Sequence, residues 1–277
     1  MNKKLEILVS CMFSDSKKLV SDSHITGDCV IINQCDEDTA YSFATENGTA
    51  SVYCVTERGL TRSRNMAIEK STAEICLLCD DDEIFASDYS EKIIRAYEEN
   101  PGADVIVFKM IGIKPSFSDR VQELKFPKIM RVASWQISFR KQSLIKTGVR
   151  FDELMGSGTG NGAEEEFRFL TDCIKSGLKI IYVPYEIAEV SKMGEGESKW
   201  FQGFDEMFFE NRGSTTRYIM GLPLASAYAF YYCLKKKKMY SSDISMFNAL
   251  KSTLRGIRKN KLGKLRSLCE DSDTERG

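Results

Sequence analysis

Five short apolar runs, separated by polar segments, mark the first 110 residues of the chain. Short continuous apolar runs of this kind are typical of strands that are buried on both faces. The runs are LEILVSCM (5–12), CVIINQ (29–34), ASVYCV (50–55), EICLLC (74–79) and DVIVFKM (104–110). The pattern therefore predicts five buried strands in this half of the chain.

Helical segments separate the later strands. Residues 61–71 have helical character, and Tyr89, Ile93 and Tyr97 recur at helical spacing within residues 87–99. Strands that alternate with amphipathic helices favour a mostly parallel sheet with helices on both faces. Such sheets bind ligands beyond the carboxyl ends of their strands, so we expect an α/β fold with its functional site at that edge.

The second half continues with a strand, a helix and a strand. WQISFR (135–140) and LKIIYV (178–183) are the predicted strands, and residues 164–176 are the predicted helix. The glycine-rich run 156–162 precedes this helix as a flexible loop, and Pro184 is expected to end the last strand.

Charge divides the chain into two parts. The 277 residues carry 39 basic and 40 acidic side chains, and this balance argues against nucleic acid as a partner. Residues 235–268 nevertheless hold eleven Lys and Arg side chains and one acidic residue. We therefore predict an α/β domain over residues 1–210 and a basic helical extension over residues 211–277, with attachment to an anionic surface through the extension.

Cysteine and histidine usage narrows the chemistry and the compartment. Nine cysteines without a pairing pattern fit a reducing environment, and residues 1–4 do not lead into the apolar core of a signal peptide. We expect a cytoplasmic protein. His24 is the one histidine, which weakens Ser/His, Cys/His and multi-His zinc chemistry.

Four consecutive carboxylates follow the fourth apolar run: Asp80, Asp81, Asp82 and Glu83. At the carboxyl end of a parallel strand they would face the ligand crevice. Their oxygen atoms suit Mg²⁺ or Mn²⁺, which often share their coordination shell with substrate phosphates. The alternative is a solvated acidic turn before the next helix, and these residues alone do not decide between the two.

Three arginines precede the acidic run, at the start of a predicted helix. Arg58, Arg62 and Arg64 stand where a helix dipole favours anions, and arginine binds phosphate in a bidentate manner. The alternative is a cationic surface helix that pairs with nearby acids. If both the arginines and the acids lie at strand ends, both can face one diphosphate.

The segment RGLTRSRNMAIEKSTAEICLLCDDDE resembles the core of family 2 glycosyltransferases, with their Arg-Asn-x-Ala and Asp-x-Asp motifs. The resemblance extends over roughly residues 5–210. It implies the GT-A fold, a nucleotide-diphosphate sugar as donor, a divalent metal ion (Mg²⁺ or Mn²⁺) and mostly inversion at the anomeric carbon.

The resemblance also assigns roles at the donor site. Ser10 and Met12 correspond to nucleoside contacts, and Asp36 lies near the place of an acid that holds the base. Arg64 corresponds to the arginine of Arg-Asn-x-Ala. Asp80 lies near the ribose, and Asp82 is the metal ligand with Asp80 beside it. Asp81 takes the place of either aspartate if the motif is offset by one residue.

A second acidic cluster opens the later helix. Three glutamates in a first turn stabilise the helix dipole by about 0.3–1 kcal/mol each, which needs no chemistry. The stretch GNGAEEEFRFLTDCIKSGLKIIYVP, however, is similar to the family's Gly-Glu-Asp helix, and the resemblance implies Glu165 as general base with Glu164 as its neighbour. Lys199 and Trp200 fall in a segment that resembles the one that closes over the donor in bacterial members of the family. Trp200 suits stacking on a sugar ring of donor or acceptor, although a tryptophan in such a place is more often a core residue.

The tail offers two interpretations. Residues 219–234 carry no charge, but their shortness and Pro223 argue against a membrane span, so a buried helix comes first and an interfacial helix second. After four lysines, the apolar positions of residues 247–257 recur at helical spacing among basic residues. This segment either lies on anionic lipid at the inner face of the plasma membrane or packs on the body.

Taken with the resemblance, the residues indicate an inverting, metal-dependent glycosyltransferase. The implied partners are a nucleotide-sugar donor, most simply a UDP-sugar, and a saccharide or lipid-linked acceptor in polysaccharide biosynthesis. One alternative is a non-catalytic nucleotide-sugar-binding subunit with the same fold. Another is a nucleotidyltransferase, which would need a glycine-rich loop after the first strand, where the chain reads SCMFSDSKK instead.

Overall fold

The computed structural model describes residues 3–159, 164–190 and 203–274, and it divides the chain into two compact units. The first unit contains residues 1–152 and 165–195, and the second contains residues 153–164 and 196–277. The predicted boundary after residue 210 falls inside a helix of the second unit, Glu206–Met220.

The first unit is built on a nine-stranded sheet with the order β3-β4-β2-β1-β5-β9-β7-β10-β8, and a two-stranded sheet pairs β11 with β6. The strands are β1 (Leu5–Met12), β2 (Cys29–Gln34), β3 (Thr39–Ala44), β4 (Thr49–Val55), β5 (Ile75–Cys79), β6 (Glu83–Phe85), β7 (Val105–Lys109), β8 (Gln122–Glu123), β9 (Ile137–Arg140), β10 (Ile180–Glu186) and β11 (Ala188–Val190).

Five helices accompany these strands in the described part of the first unit, and two 3₁₀ turns, Lys128–Arg131 and Ser134–Gln136, precede β9. The helices are α1 (Ser16–Asp22), α2 (Leu60–Lys70), α3 (Tyr89–Glu99), α4 (Lys141–Thr147) and α5 (Glu165–Lys175). A mixed α/β fold with helices beside a mostly parallel sheet is thereby confirmed.

The centre of the sheet is apolar because its strands are covered on both faces. Strands β4, β2, β1 and β5 run parallel to one another, and every residue of β2 and β5 is buried. Alternate residues of β1, such as Ile7 and Val9, share one core with Tyr89 and Ile93 of α3. The parallel strands place their carboxyl ends, and the loops that follow them, along one edge.

Strands β3, β6, β8 and β11 were not predicted, and the end of β10 also differs from the prediction. Strand β3 was not anticipated, because its residues are nearly all exposed and it pairs antiparallel to β4 at the edge of the sheet. Pro184 does not end β10, which continues to Glu186. The missing N–H is tolerated because the register with β7 shifts between Val183 and Glu186, so Pro184 stands at an irregularity of the ladder.

The second unit is helical over its described residues. Its helices are α6 (Glu206–Met220), α7 (Leu222–Lys235), α8 (Lys237–Tyr240), α9 (Met246–Lys259) and α10 (Lys261–Thr274). Gly213 of α6 and Gly256 of α9 let the two backbones approach closely: a Cβ atom on either glycine would overlap a carbonyl oxygen of the facing helix, that of Thr253 or Glu210.

The charge-free segment 219–234 is not the single buried helix that the sequence suggests. The chain breaks at Gly221, whose φ of 79° is in the left-handed region, and Pro223 stands in the first turn of the next helix. Within the described ranges, every helix falls short of the length and apolar character that a membrane crossing demands.

Candidate functional site

Arg64 is the centre of the candidate site. It lies on α2 with 2% of its surface exposed. Its Nη2 donates to Asp80 Oδ1 at 3.0 Å, and its Nη1 donates to Glu165 Oε1 at 3.1 Å. The acidic turn that follows β5 and the first turn of α5 therefore meet at one guanidinium group.

The surrounding carboxylates keep Arg64 charged. Burial alone would lower the pKa of Arg64, but the negative charges of Asp80, Glu165 and Glu166 together raise it above its ordinary value. Because the guanidinium is buried, removal of its charge would leave Asp80 and Glu165 close together without compensation.

Asp80 is fixed by three further contacts. Ser134 Oγ donates to Asp80 Oδ2 at 3.1 Å, and the Asp80 backbone N–H donates to Glu83 Oε1 at 2.8 Å. The Cys79 thiol donates to the Asp80 carbonyl. Both carboxylate oxygens of Asp80 are thus engaged by protein groups. No sequence pattern pointed to Ser134, which comes from a turn far along the chain.

Glu83 is not part of a solvated acidic run. It is 1% exposed, and its Oε2 has no hydrogen-bond partner among the residues that the structure describes. Burial raises the pKa of Glu83 well above its ordinary value, and the negative charge of Asp80 raises it further. The first residue of β6 therefore acts as a buried support for the backbone of the acidic turn.

Asp81 and Asp82 occupy the outer part of this turn. Asp81 is exposed and Asp82 is half-buried. Among the residues that the structure describes, no group of three His, Cys, Asp or Glu side chains is arranged to hold a metal ion. The carboxylate chemistry of the turn suits a hard divalent cation, but phosphate or water oxygens would have to complete its shell.

Asn65, the neighbour of Arg64, holds the loop before the glycine-rich segment. Its Nδ2 donates to the Phe151 carbonyl at 3.0 Å, and its Oδ1 accepts from the Phe151 N–H at 2.9 Å. The Phe151 ring stacks on Phe169 of α5 at 4.3 Å and lies 5.5 Å from the Arg64 guanidinium carbon. The Arg-Asn pair therefore fixes both an acidic cluster and a loop.

The expected nucleoside residues lie at the ends of β1 and β2. Ser10 is buried, and its Oγ accepts from Ser63 Oγ of α2 at 2.9 Å. Met12 is 49% exposed. Asp36 is exposed and accepts from Arg58 at 3.0 Å. Met12 and Asp36 are accessible to a ligand, whereas the Ser10 hydroxyl packs α2 against the sheet.

The two other arginines of the helix start have partners of their own. Arg58 Nη1 donates to three backbone carbonyls, those of Cys35, Val55 and Thr56, and so ties the loop after β2 to the end of β4. Arg62 is exposed and lies 3.6 Å from Glu57. Each of these two arginines thus contacts an acidic side chain, Asp36 for Arg58 and Glu57 for Arg62.

Glu164 and Glu165 are adjacent in the chain but have different partners. Glu164 belongs to the second unit and has a φ of 80°, and its Oε1 lies 2.9 Å from Arg212 Nη2. Burial alone would lower the pKa of Arg212, but Glu164 raises it. The Arg212 guanidinium also lies 4.0 Å from the centroid of the Tyr232 ring. Lys199 and Trp200 lie outside the described residues.

Comparison with known proteins finds a family model and solved structures that are similar to this chain. Residues 22–154 match the family model described as "Glycosyl transferase family 2". No curated protein matches the chain.

Crystal structures of S. aureus TarS 1-349 are similar in fold. The TM-scores are 0.54 for one structure, 0.57 for its complex with UDP-GlcNAc and 0.58 for its complex with UDP, at 16%, 15% and 15% identity. The matches cover 91%, 82% and 92% of this chain, and 71%, 66% and 81% of the other. At this identity the likeness concerns the fold, and it confirms the expected GT-A arrangement.

Proposed function

Because residues 22–154 match the model of glycosyl transferase family 2, we propose that the chain transfers a sugar from a nucleotide-diphosphate sugar to an acceptor hydroxyl by direct, inverting displacement. In that step the acceptor oxygen bonds to the anomeric carbon and its proton passes to a general base. The bond to the diphosphate breaks, and the nucleoside diphosphate departs. TarS structures that contain UDP-GlcNAc or UDP support a UDP-sugar as the donor.

The ion-pair network of Arg64 is the observation that carries this proposal. Asp80 ends a central parallel strand and Glu165 begins a helix, yet both bind the same buried guanidinium. A donor at the strand ends would therefore meet one acidic segment on its diphosphate side and another on its sugar side. Family 2 chemistry needs acidic groups for both tasks: to hold a cation and to accept a proton.

Asp82 is the residue that we propose as protein ligand of Mg²⁺ or Mn²⁺. Both oxygens of Asp80 are engaged by Arg64 and Ser134, so Asp80 orients the turn, and the family resemblance puts it near the ribose. When bound, a divalent cation supplies positive charge against the departing diphosphate. Asp81 takes the role of Asp82 if the motif is offset by one position.

Met12 and Asp36 are the proposed nucleoside contacts. Both are exposed at the carboxyl ends of adjacent parallel strands, and Arg58 pairs with Asp36 while lying 5.3 Å from the Phe13 ring. This exposed aromatic and charged surface suits a base and ribose. Ser10 contributes by holding Ser63, and through it α2, against β1.

Glu165 is the proposed general base, and Glu164 is the second candidate. Glu165 lies in the first unit together with Arg64 and Asp80, and a proton taken from the acceptor would be received beside the donor. Lys199 and Trp200 remain proposed contacts of the acceptor or lid. A saccharide or lipid-linked acceptor in polysaccharide biosynthesis follows from the family resemblance alone.

The burial of Glu165 favours a second candidate function. Glu165 is 6% exposed and its Oε1 is bound to Arg64, as expected if the acidic cluster only stabilises the fold. The chain would then bind a nucleotide sugar without transferring it.

A donor panel separates the two candidates. Purified protein is incubated with UDP-glucose, UDP-galactose, UDP-GlcNAc and GDP-mannose, with Mn²⁺ or with EDTA. Water takes the place of the acceptor hydroxyl, and hydrolysis of the donor is measured as release of nucleoside diphosphate. We expect Mn²⁺-dependent turnover of one UDP-sugar, and a loss of at least about 100-fold for Glu165→Gln, as is typical for removal of a general base. Glu91→Gln is the matched control, since Glu91 also stands in the first turn of a helix, α3.

The outcomes also show which residue of the pair Glu164 and Glu165 acts as the general base. If Glu165→Gln keeps full turnover while Glu164→Gln loses it, Glu164 is the base. If donor binds but no donor is turned over by the wild-type protein, the chain is a binding subunit.

A further inference from the structure

Helix α7 has two unlike faces. One face packs inside the second unit through Ala225, Ala229, Tyr232 and Cys233, all of them buried. The opposite face is exposed and apolar, and we call it the outer face of α7: Leu224 (50% exposed), Ala227, Phe230 (51%), Tyr231 (56%) and Leu234 (63%). Spacings of three and four residues put these side chains on one stripe.

A cationic segment continues directly from this stripe. Lys235, Lys236, Lys237 and Lys238 are all exposed, at the carboxyl end of α7 and in α8. From residue 222 to residue 242 the sequence contains no acidic side chain. The surface therefore combines an apolar stripe that includes aromatic residues with four positive charges that no neighbour in sequence neutralises.

Helix α9, the other amphipathic helix of this region, uses its apolar side internally. Ile257 is buried against Ala225 and Ala229, and Leu250 and Leu254 pack against the same cluster. The close approach at Gly213 and Gly256 holds α9 on α6. Packing on the rest of the second unit therefore accounts for Leu250, Leu254 and Ile257, whereas Phe247 at the start of α9 is 72% exposed. The outer face of α7 stays exposed as a continuous apolar stripe.

We propose that the outer face of α7 and Lys235–Lys238 bind the surface of an anionic lipid bilayer. The helix would lie in the plane of the interface with Leu224, Phe230 and Leu234 towards the acyl chains. The lysines would meet anionic headgroups, and Tyr231 is an amphipathic residue of the type that favours this depth.

Charge decides between a bilayer and a second copy of this chain. In a two-fold dimer the same patch faces itself, and the lysines of each copy would need acidic partners on the other. The segment 222–242 offers none, and Asp243, which follows it, is a single acid against four lysines. An anionic bilayer supplies that charge. None of these residues has a role in the proposed sugar transfer, so either proposal can fail without the other.

Vesicle flotation tests the proposal without a sugar donor. Full-length protein is mixed with vesicles of phosphatidylcholine and phosphatidylglycerol at a ratio of 7:3, or of phosphatidylcholine alone, in low and high salt. We expect binding to the anionic vesicles at least about tenfold stronger than to the neutral ones, weakened by high salt because the Debye length shortens.

Two variants separate the apolar and the cationic contributions. One variant combines Phe230→Ser with Leu234→Ser, and the other replaces Lys235–Lys238 by Gln. Each should weaken binding to anionic vesicles by at least about tenfold. Burial of two apolar side chains in the bilayer, or attraction of four lysines to anionic headgroups, accounts for a difference of that size. All these side chains are exposed, so the fold should persist, and circular dichroism checks it. Ile145→Ser, at an apolar residue of α4 that is 56% exposed, is the matched control and should bind as wild type.

Two results would overturn the proposal. Equal affinity of the wild-type protein for anionic and neutral vesicles would do so, and so would unchanged binding of both variants. A dimer in solution that Phe230→Ser with Leu234→Ser dissociates, with no vesicle binding by the wild type, would assign the face to a second copy instead.

Discussion

Arg64 binds two carboxylates with one guanidinium group. The ammonium group of a lysine has a single nitrogen and cannot reach both. The Nη1 and Nη2 atoms of Arg64 point to Glu165 and Asp80, and its ring neighbour Phe151 is clamped by Asn65. Three residues of α2 explain the Arg-Asn-x-Ala pattern physically. Arg64 binds the two carboxylates, Asn65 holds a loop, and the fully buried Ala67 lets the helix pack.

Arg64→Met should lower the free energy of unfolding by about 3–5 kcal/mol, because breaking a buried ion pair leaves uncompensated charge. Arg64→Lys should recover only part of this loss, since one ammonium group cannot reach both carboxylates. Urea denaturation at pH 7 measures both variants.

Arg62 provides the control for Arg64. It lies on the same helix but is exposed, so Arg62→Met should change the free energy of unfolding by no more than about 0.5 kcal/mol. If Arg64→Met proves as stable as Arg62→Met, the network contributes nothing to the fold.

The sequence could name the residues of this network but not their partners. Arg64, Asp80 and Glu165 carry motif resemblances, whereas Ser134 stands in an irregular turn and has no pattern to mark it. The burial of Glu83 could not be predicted for a different reason. Four consecutive acids look alike in sequence, and only the pairing of Glu83 with Val190 in a two-stranded sheet takes one of them into the interior.

At the level of elements, the crossing of α6 and α9 depends on glycine. Gly256→Ala should lower the free energy of unfolding by about 1–3 kcal/mol, because the added Cβ would overlap the carbonyl oxygen of Glu210 and force the helices apart. Thermal unfolding followed by circular dichroism measures the loss.

Gly102→Ala is the matched substitution in open space. Apart from its two chain neighbours, no atom of the described residues lies within 4 Å of the Cβ it would add, so stability should stay equal or rise by roughly 0.4–1 kcal/mol. Equal melting temperatures for the two variants would mean that the close approach of α6 and α9 is not needed.

Elements with strong patterns were predictable and those with weak ones were not. The fully buried strands β2 and β5 follow from their continuous apolar runs. The exposed strand β3 has no such run, since an edge strand buries little of its surface. A proline predicts the end of a strand only where the ladder needs its N–H, and at Pro184 it does not.

At the scale of the whole molecule, burial also controls thiol chemistry. All nine cysteines lie in the described part of the chain, and none forms a disulfide. Burial raises the pKa of Cys11 and of Cys76 to about 12, whereas Cys269 is exposed. At pH 8 a thiol with that pKa is ionised in only about one molecule in 10⁴, so it cannot react as a thiolate.

Alkylation should therefore distinguish the two classes. Iodoacetamide at pH 8 should modify Cys269 in the native protein and leave Cys11 and Cys76 unmodified, while in urea all three should react. Mass spectrometry of the peptides reads the result. Rapid native modification of Cys76 would contradict the buried position of β5.

The tail shows what composition predicts and what it does not. The uneven charge along the chain predicted the basic extension. It did not predict that α9 would bury its apolar side, because this depends on the close contact of Gly213 and Gly256, which are far apart in sequence. A division into two units also depends on long-range contacts, and the catalytic domain over residues 1–210 stays a prediction.

The account rests on a donor site formed by the acidic turn beside Arg64. Calorimetric titration of UDP into the protein, with Mn²⁺ or with EDTA, tests it most directly. The account predicts Mn²⁺-dependent binding that Asp82→Asn weakens by at least about tenfold, and that Asp22→Asn, at the far end of α1, leaves unchanged. Binding of equal strength in EDTA, or in the Asp82→Asn variant, would contradict it.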